Sequence, residues 1–261
     1  MKRGLGWRPD PHDPRDLRYG VDLGAGDDEE PPDECLDMLG SVGSILDQGD
    51  AQACTGTSAG GAYRAKLTAD GLPARLPSAL WLWTLGRKAI GEERYNSGCY
   101  LRSVLKGAYD LGWCPEERWP SGDMGRDFAR DPSDDPRTFR SAFDARAFGY
   151  YRVTGPSQDS IARSVKQAIW RGRPVVFGTQ VSEAWCWLGR HDQPIGPPRA
   201  QDVAGGHAMY WIGYTRDAAI AVNSYGESFG NDGLWLMRWD YVVDPMTSDR
   251  WAIERVERLA R

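Results

Sequence analysis

The stretch Gln48–Ala62, QGDAQACTGTSAGGA, restricts the fold more than any other part of this chain. From Cys54 to Ala69 the residues read as one helix, closed by Asp70-Gly71. Gly56, Gly60 and Gly61 inside it each cost about 1 kcal/mol of helix propensity against alanine. Such a helix needs compensating tertiary contacts, so it is expected to be packed closely on all sides. Its first residue is a cysteine. Unpaired N–H groups and the positive end of the helix dipole favour a thiolate there. A helix N-terminus or a nearby imidazolium can lower a thiol pKa from about 8.5 to about 3.5–7.5.

Two further stretches complete a possible catalytic set: GGHAMYWIGY, with His207, and AVNSYGESFGNDG, with Asn223. The chain has only three histidines, and His12 and His191 lie in turn-rich surroundings. Only His207 is followed by an apolar, strand-like run. Taken alone, a cysteine before small residues is a packing residue, and GGH is a turn into a strand. Taken in order, Gln48, Cys54, His207 and Asn223 supply an oxyanion donor, a nucleophile, a base and an orienting group. Cys54 would attack, and His207 would take and return the proton. Asn223 would fix the imidazole tautomer. The Gln48 amide and the Cys54 N–H would face the developing oxyanion, where losing one donor typically costs about 2.7–4 kcal/mol.

Residues from about Gly40 to about Asp240 resemble the papain-like cysteine peptidases, in a bacterial or phage-type branch. The resemblance implies an α+β fold of two lobes, one helical and one an antiparallel β-barrel-like lobe, with the site in the cleft between them. It implies that Gly98 and Cys99 offer main-chain groups to an extended peptide by strand addition. Tyr100, Leu101, Gly205 and Gly206 would line the neighbouring pocket. The leader GWRPD…DPRD is similar to one that precedes the core in bacterial papain-like proteins, and it leaves no room for a long inhibitory prosegment. The family's usual disulfide is missing, since Ala51 and Asn96 stand at its positions. Thr55 follows the nucleophile where tryptophan is common. Tyr225 stands where a tryptophan normally shields the Asn–His hydrogen bond.

The chain divides into a strap (1–40), a mainly helical region (41–142) and a mainly β region (143–261). The strap reads as an extended surface segment followed by an acidic loop, GAGDDEEPPDE, because X-Pro steps disfavour helix. PSALWLWTLGRKAI and SGCYLRSVLKGAYDL read as helices, with a serine N-cap candidate on the first. Ser121–Pro136 reads as a polar loop. AFGYYRVT, PVVFGTQV, HAMYWIGYT, AIAVNSY and GLWLMRWDYV read as strands, and SQDSIARSVKQAIWRG as a helix. Trp235, Trp239 and Trp251 read as core.

A net charge of −5 argues against nucleic acid or an anionic membrane as partner. No apolar run is long enough to span a bilayer, and the first residues lack a signal-peptide core. Cysteines 35, 54, 99, 114 and 186 form neither a metal motif nor a disulfide framework. No cofactor or metal is expected, and a reducing, cytoplasmic or virion-associated setting is. The substrate would be an extended peptide. The same groups would also serve deamidation or amide transfer, since the acyl-enzyme is common to both. A binding role in a larger assembly such as a phage virion, engaged through the strap, is the remaining reading.

Overall fold

The computed structural model describes residues 3–20, 29–131, 135–143 and 148–255. Part of the acidic loop, residues 24–28, lies outside them. The first lobe is built on helices. A two-residue strand, β1 (Trp7–Arg8), belongs to the N-terminal strap. Helix α1 spans Cys54–Ala69 and is buried from Cys54 to Leu67, as its glycines require. A Cβ on Gly56 would lie 2.5 Å from the Ala79 carbonyl oxygen, and one on Gly61 would lie 2.5 Å from the Tyr210 ring. The small residues therefore let α1 nestle between a helix on one side and a strand on the other.

Helix α2 (Ala79–Lys88) starts where Ser78 Oγ accepts from the Trp81 N–H at 3.1 Å. Trp81 and Trp83 are fully buried core, and their indole N–H groups donate to the carbonyls of Gly112 and Ser97. The next helix begins later than expected. Cys99–Tyr100 form a short strand, β2, and α3 runs from Leu101 to Leu111. The expected loop at 121–136 contains a one-turn helix, α4 (Met124–Asp127), and α5 (Pro136–Phe143) follows.

The second lobe is a six-stranded antiparallel sheet. Its strands are β3 (Phe148–Arg152), β4 (Val175–Ser182), β5 (Val203–Tyr214), β6 (Ala218–Val222), β7 (Leu234–Arg238) and β8 (Thr247–Arg255). They lie in the order β3-β8-β4-β5-β6-β7. Helix α6 (Gln158–Trp170) opens with a capping box between Ser157 and Ser160. A single turn, α7 (Glu183–Cys186), follows β4, and another, α8 (Trp239–Val242), ends the run expected to be all strand. Trp235 and Trp251 are buried and Trp239 packs against the core, in keeping with a structural role. Strand β8 was not foreseen. It inserts between β3 and β4 and brings Asp249 into the interior. Helix α1 packs on β5, which sets the start of α1 against the strand that carries His207.

Candidate active site

The hydrogen bonds around His207 fix its chemistry. Asn223 follows β6, and its Oδ1 accepts from the Ser224 N–H at 2.7 Å. A backbone N–H only donates, so that atom of the Asn223 side chain is the oxygen. The same oxygen lies 2.7 Å from His207 Nε2, which must then carry the ring proton. Nδ1 is left with its lone pair, 3.4 Å from the Tyr225 hydroxyl. Burial pulls His207 down to about 4, and the Asn223 bond works against that. The imidazole is therefore a neutral base of defined tautomer.

Cys54 heads α1 and is wholly buried. Its sulfur accepts from the Gly6 N–H at 3.3 Å. Burial pushes the thiol up to about 11, while the N–H groups of Ala208 and Gly6 pull it back. This corrects the expectation of a depressed thiol. Here the helix N-terminus acts in a site sealed from water, and desolvation outweighs it. No hydrogen bond links the sulfur to His207 among the described residues.

The seal is the strap, and its path differs from the surface course expected. Residues 4–10 run through the cleft between the lobes. β1 pairs in parallel with β2, Trp7 opposite Cys99 and Arg8 opposite Tyr100. Cys99 N donates to Gly6 O at 2.9 Å. A Cβ on Gly98 would run into the Gly6 backbone, and one on Gly206 would lie 2.6 Å from Trp7 O. Gly205 faces Leu5. The chain's own N-terminal segment thus adds as a strand at Cys99 and Tyr100. This addition also turns inward the segment expected to engage an assembly. Leu101 does not fit its expected place: it is fully buried in the core at the start of α3.

Gln48 is held by three bonds. Its Nε2 donates to Ala51 O at 2.6 Å and to Gly4 O at 3.2 Å, and its Oε1 accepts from Ser224 Oγ. Tyr225 Oη donates to the same Gly4 oxygen at 2.9 Å. A peptide carbonyl thus already sits between two donors beside the thiol. The group facing the sulfur is an N–H, so the strap is not set up as a substrate.

Two contributions were not read from the sequence. Tyr225 is a hydrogen-bond donor as well as a shield. Trp185, on α7, completes that shield: its ring centre is 5.5 Å from that of His207 and 6.1 Å from that of Tyr225. A tryptophan just beyond a buried strand was the available signal, but only the fold brings it over the imidazole. Thr55 Oγ1 lies 3.1 Å from Cys99 Sγ, so the residue after the thiol ties α1 to β2. All five cysteines are free and buried. No group of side chains suited to a metal ion occurs among the described residues.

No family model matches the chain, and no curated protein matches it by sequence. Solved structures do. Xylellain, a cysteine protease from Xylella fastidiosa, superposes with a TM-score of 0.81 at 28% identity, over 98% of this chain and 97% of that one. Digestive procathepsin L 3 of Tenebrio molitor gives 0.67 at 17% identity, over 98% and 76%. The Carica candamarcensis cysteine protease CMS1MS2, in complex with E-64, gives 0.63 at 16% identity, over 87% and 99%. By its two-lobed α+β fold and its likeness to these structures, the chain belongs with the papain-like cysteine peptidases.

Proposed function

We propose that this chain is a cysteine peptidase acting through Cys54, His207, Asn223 and Gln48, and that the strap must leave the cleft before substrate enters. The reading rests chiefly on one observation: a peptide already lies against two of these groups, the thiol and the Gln48 amide. Gly6 N–H meets the sulfur and Gly4 O meets the Gln48 amide.

With the strap withdrawn, water reaches the thiol and its pKa falls from the sealed value. His207 Nδ1 takes the Cys54 proton, while Asn223 Oδ1 holds Nε2–H and favours the imidazolium. The sulfur attacks the substrate carbonyl carbon and forms a C–S bond. The oxygen becomes an oxyanion facing Gln48 Nε2, the Tyr225 hydroxyl and the Cys54 N–H. His207 returns its proton to the amide nitrogen, the C–N bond breaks, and the amine leaves. Water then adds to the thioester with His207 as base, which releases the acid and restores the thiol.

The test is hydrolysis of a fluorogenic peptide library by the chain and by Cys54→Ala. Loss of a nucleophile typically lowers kcat by about 10⁴-fold or more. The alanine should fold normally, because small residues already surround it. Turnover equal to the parent would end this reading. Ammonia release without chain cleavage would redirect it to deamidation.

A further inference from the structure

The strap puts one large side chain, Trp7, into a slot in the β lobe beside the thiol. Its walls are two glycines on neighbouring strands, Gly178 of β4 and Gly206 of β5. A Cβ on Gly178 would run into the indole, and one on Gly206 would lie 2.7 Å from its Cε3. Glycine inside a strand weakens it and often marks close approach of another group. The floor is Asp249, whose Oδ2 accepts from Trp7 Nε1 at 3.0 Å and from Asp10 N at 2.7 Å. Asp249 is buried and has φ +50, a conformation that a non-glycine residue adopts at a cost. Strand β8 therefore carries local strain to hold a carboxylate at the end of an indole-sized space.

When the strap leaves, Trp7 and Asp10 leave with it, and water replaces both donors on Oδ2. A side chain that displaces this water without offering a donor leaves a buried acceptor unpaired, so the slot favours one that restores the bond. We propose that Asp249 and the two glycines make this slot selective for a tryptophan of the substrate, a large flat side chain ending in a neutral N–H. The inference rests on the peptidase reading above and adds the class of substrate to it.

Charge separates tryptophan from arginine. Asp249 Oδ1 is paired with Arg152 at 3.1 Å. Arg152 also holds Asp10, which departs with residues 4–10, and Asp16, which Arg102 shares. The floor carboxylate thus keeps its own guanidinium on Oδ1 when the slot opens, and Oδ2 is left to a neutral donor. Phenylalanine fills the same space but leaves Oδ2 unpaired. Sites that hydrogen-bond a substrate group reject analogues lacking it far better than they reject a change of size.

The experiment uses the full chain carrying Trp7→Ala, which empties the slot. Peptidyl epoxides differing only in one side chain (Trp, Phe, Arg or Ala) are offered, with that side chain moved through the four positions before the warhead. Capture of Cys54 is followed by intact mass. Strap opening scales every rate by the same open fraction, so it cancels in the ratios. At one position tryptophan should react about tenfold or more faster than phenylalanine and arginine. A second change, Gly178→Val, should erase that advantage, so that the Trp compound reacts no faster than the Ala compound in the same chain.

Equal rates for Trp, Phe and Arg at every position would overturn the pocket assignment. So would no capture by the Trp compound in a chain whose Cys54 iodoacetamide alkylates. Selective capture of the Trp compound without hydrolysis of any peptide would sink the peptidase reading while leaving the pocket standing.

Discussion

Helix α1 and the strap's Gly4, Gly6 and Trp7 are buried, and both segments are admitted by glycine, but for opposite purposes. Gly56 and Gly61 bring α1 against α2 and β5, two elements of the permanent core. Gly98, Gly178 and Gly206 bring the two lobes against a short segment whose apolar anchors are Trp7 and Leu5. The rest of what holds the strap is polar. Arg8 pairs with Glu92, Trp7 and Asp10 bond to Asp249, and Arg152 gathers Asp10, Asp16 and Asp249. One glycine set belongs to the core and the other to a removable occupant. Close packing alone does not distinguish them; the kind of bond on the far side does.

The largest expected effect follows from Arg152. Removing one partner of a buried ion pair costs about 3–5 kcal/mol, because the other charge is stranded. Above about pH 8, where protonation no longer relieves it, Asp10 escapes that cost by leaving the cleft for water. Arg152→Ala should therefore speed alkylation of Cys54 by iodoacetamide at least tenfold. Cys35, Cys99, Cys114 and Cys186 should stay unreactive, as mass spectrometry of the labelled chain would show. Equal labelling of all five would mean that the core, not the strap, had opened.

A matched pair of substitutions sharpens the contrast. Gly56→Val puts a branched side chain against the Ala79 carbonyl and Trp83, and should cost about 1–3 kcal/mol or more in denaturant unfolding. Gly178→Val faces Trp7 instead. A β-branched residue suits a strand, so the sheet should tolerate it while the strap is displaced. The readout is a rise in Cys54 alkylation with unfolding of the remaining fold little changed. If both variants lose stability alike, the strap is core.

Residues that signal locally were the legible ones. Ser78 and Ser157 cap where sequence rules place them, and Asp70-Gly71 and Arg171-Gly172 stop their helices. The order of Gln48, Cys54, His207 and Asn223 carried enough to place the cleft. Strand β8 was illegible because the polar run Ser248, Asp249 and Arg250 breaks any apolar alternation, yet the sheet buries the last two. Its polar groups are satisfied from far away, by Trp7, Asp10, Arg152 and the Val242 carbonyl. The strap's course was hidden for the same reason. Its partners lie on both lobes, and no local pattern in residues 4–10 points to them.

pH should separate the two regions next. Asp10 is pushed up to about 7, first by burial and then by Asp249, against the Arg102 N–H, Arg152 and Trp251. In the docked strap it keeps its proton; in a freed strap it returns to the ordinary 3.8. Its contribution to docking is thus full at low pH and lost as pH rises through about 7. His207, lowered to about 4, acts the other way: its contribution is present above its ordinary 6.5 and lost as pH falls toward 4. The two oppose each other between about 4 and 6.5. Above that, Asp10 and then Cys54, raised to about 11, both loosen the strap. Cys54 alkylation, taken relative to a free thiol at the same pH, should rise roughly tenfold from pH 6 to 9. Asp10→Asn should flatten the part below pH 8. A rise confined to acid would mean that His207 alone governs docking.

The smallest effect is a control on all the others. Ser157 caps α6 by accepting from the Ser160 N–H at 3.2 Å, and Ser160 Oγ returns the bond to the Ser157 N–H. Ser157→Ala should cost about 0.5–2 kcal/mol of global stability, as other N-caps do. Helix α6 touches β4 and β5; it bonds to Glu29 and Glu30 but carries none of the groups that hold residues 4–16. The variant should therefore melt earlier in a thermal scan and still alkylate Cys54 at the parent rate. If the thiol were uncovered in proportion to lost stability, strap and fold would be one cooperative unit. The faster labelling expected of Arg152→Ala and Gly178→Val would then report nothing about the cleft. Unchanged labelling in a measurably weaker fold is the outcome that allows the strap to open by itself, over a core that stays closed.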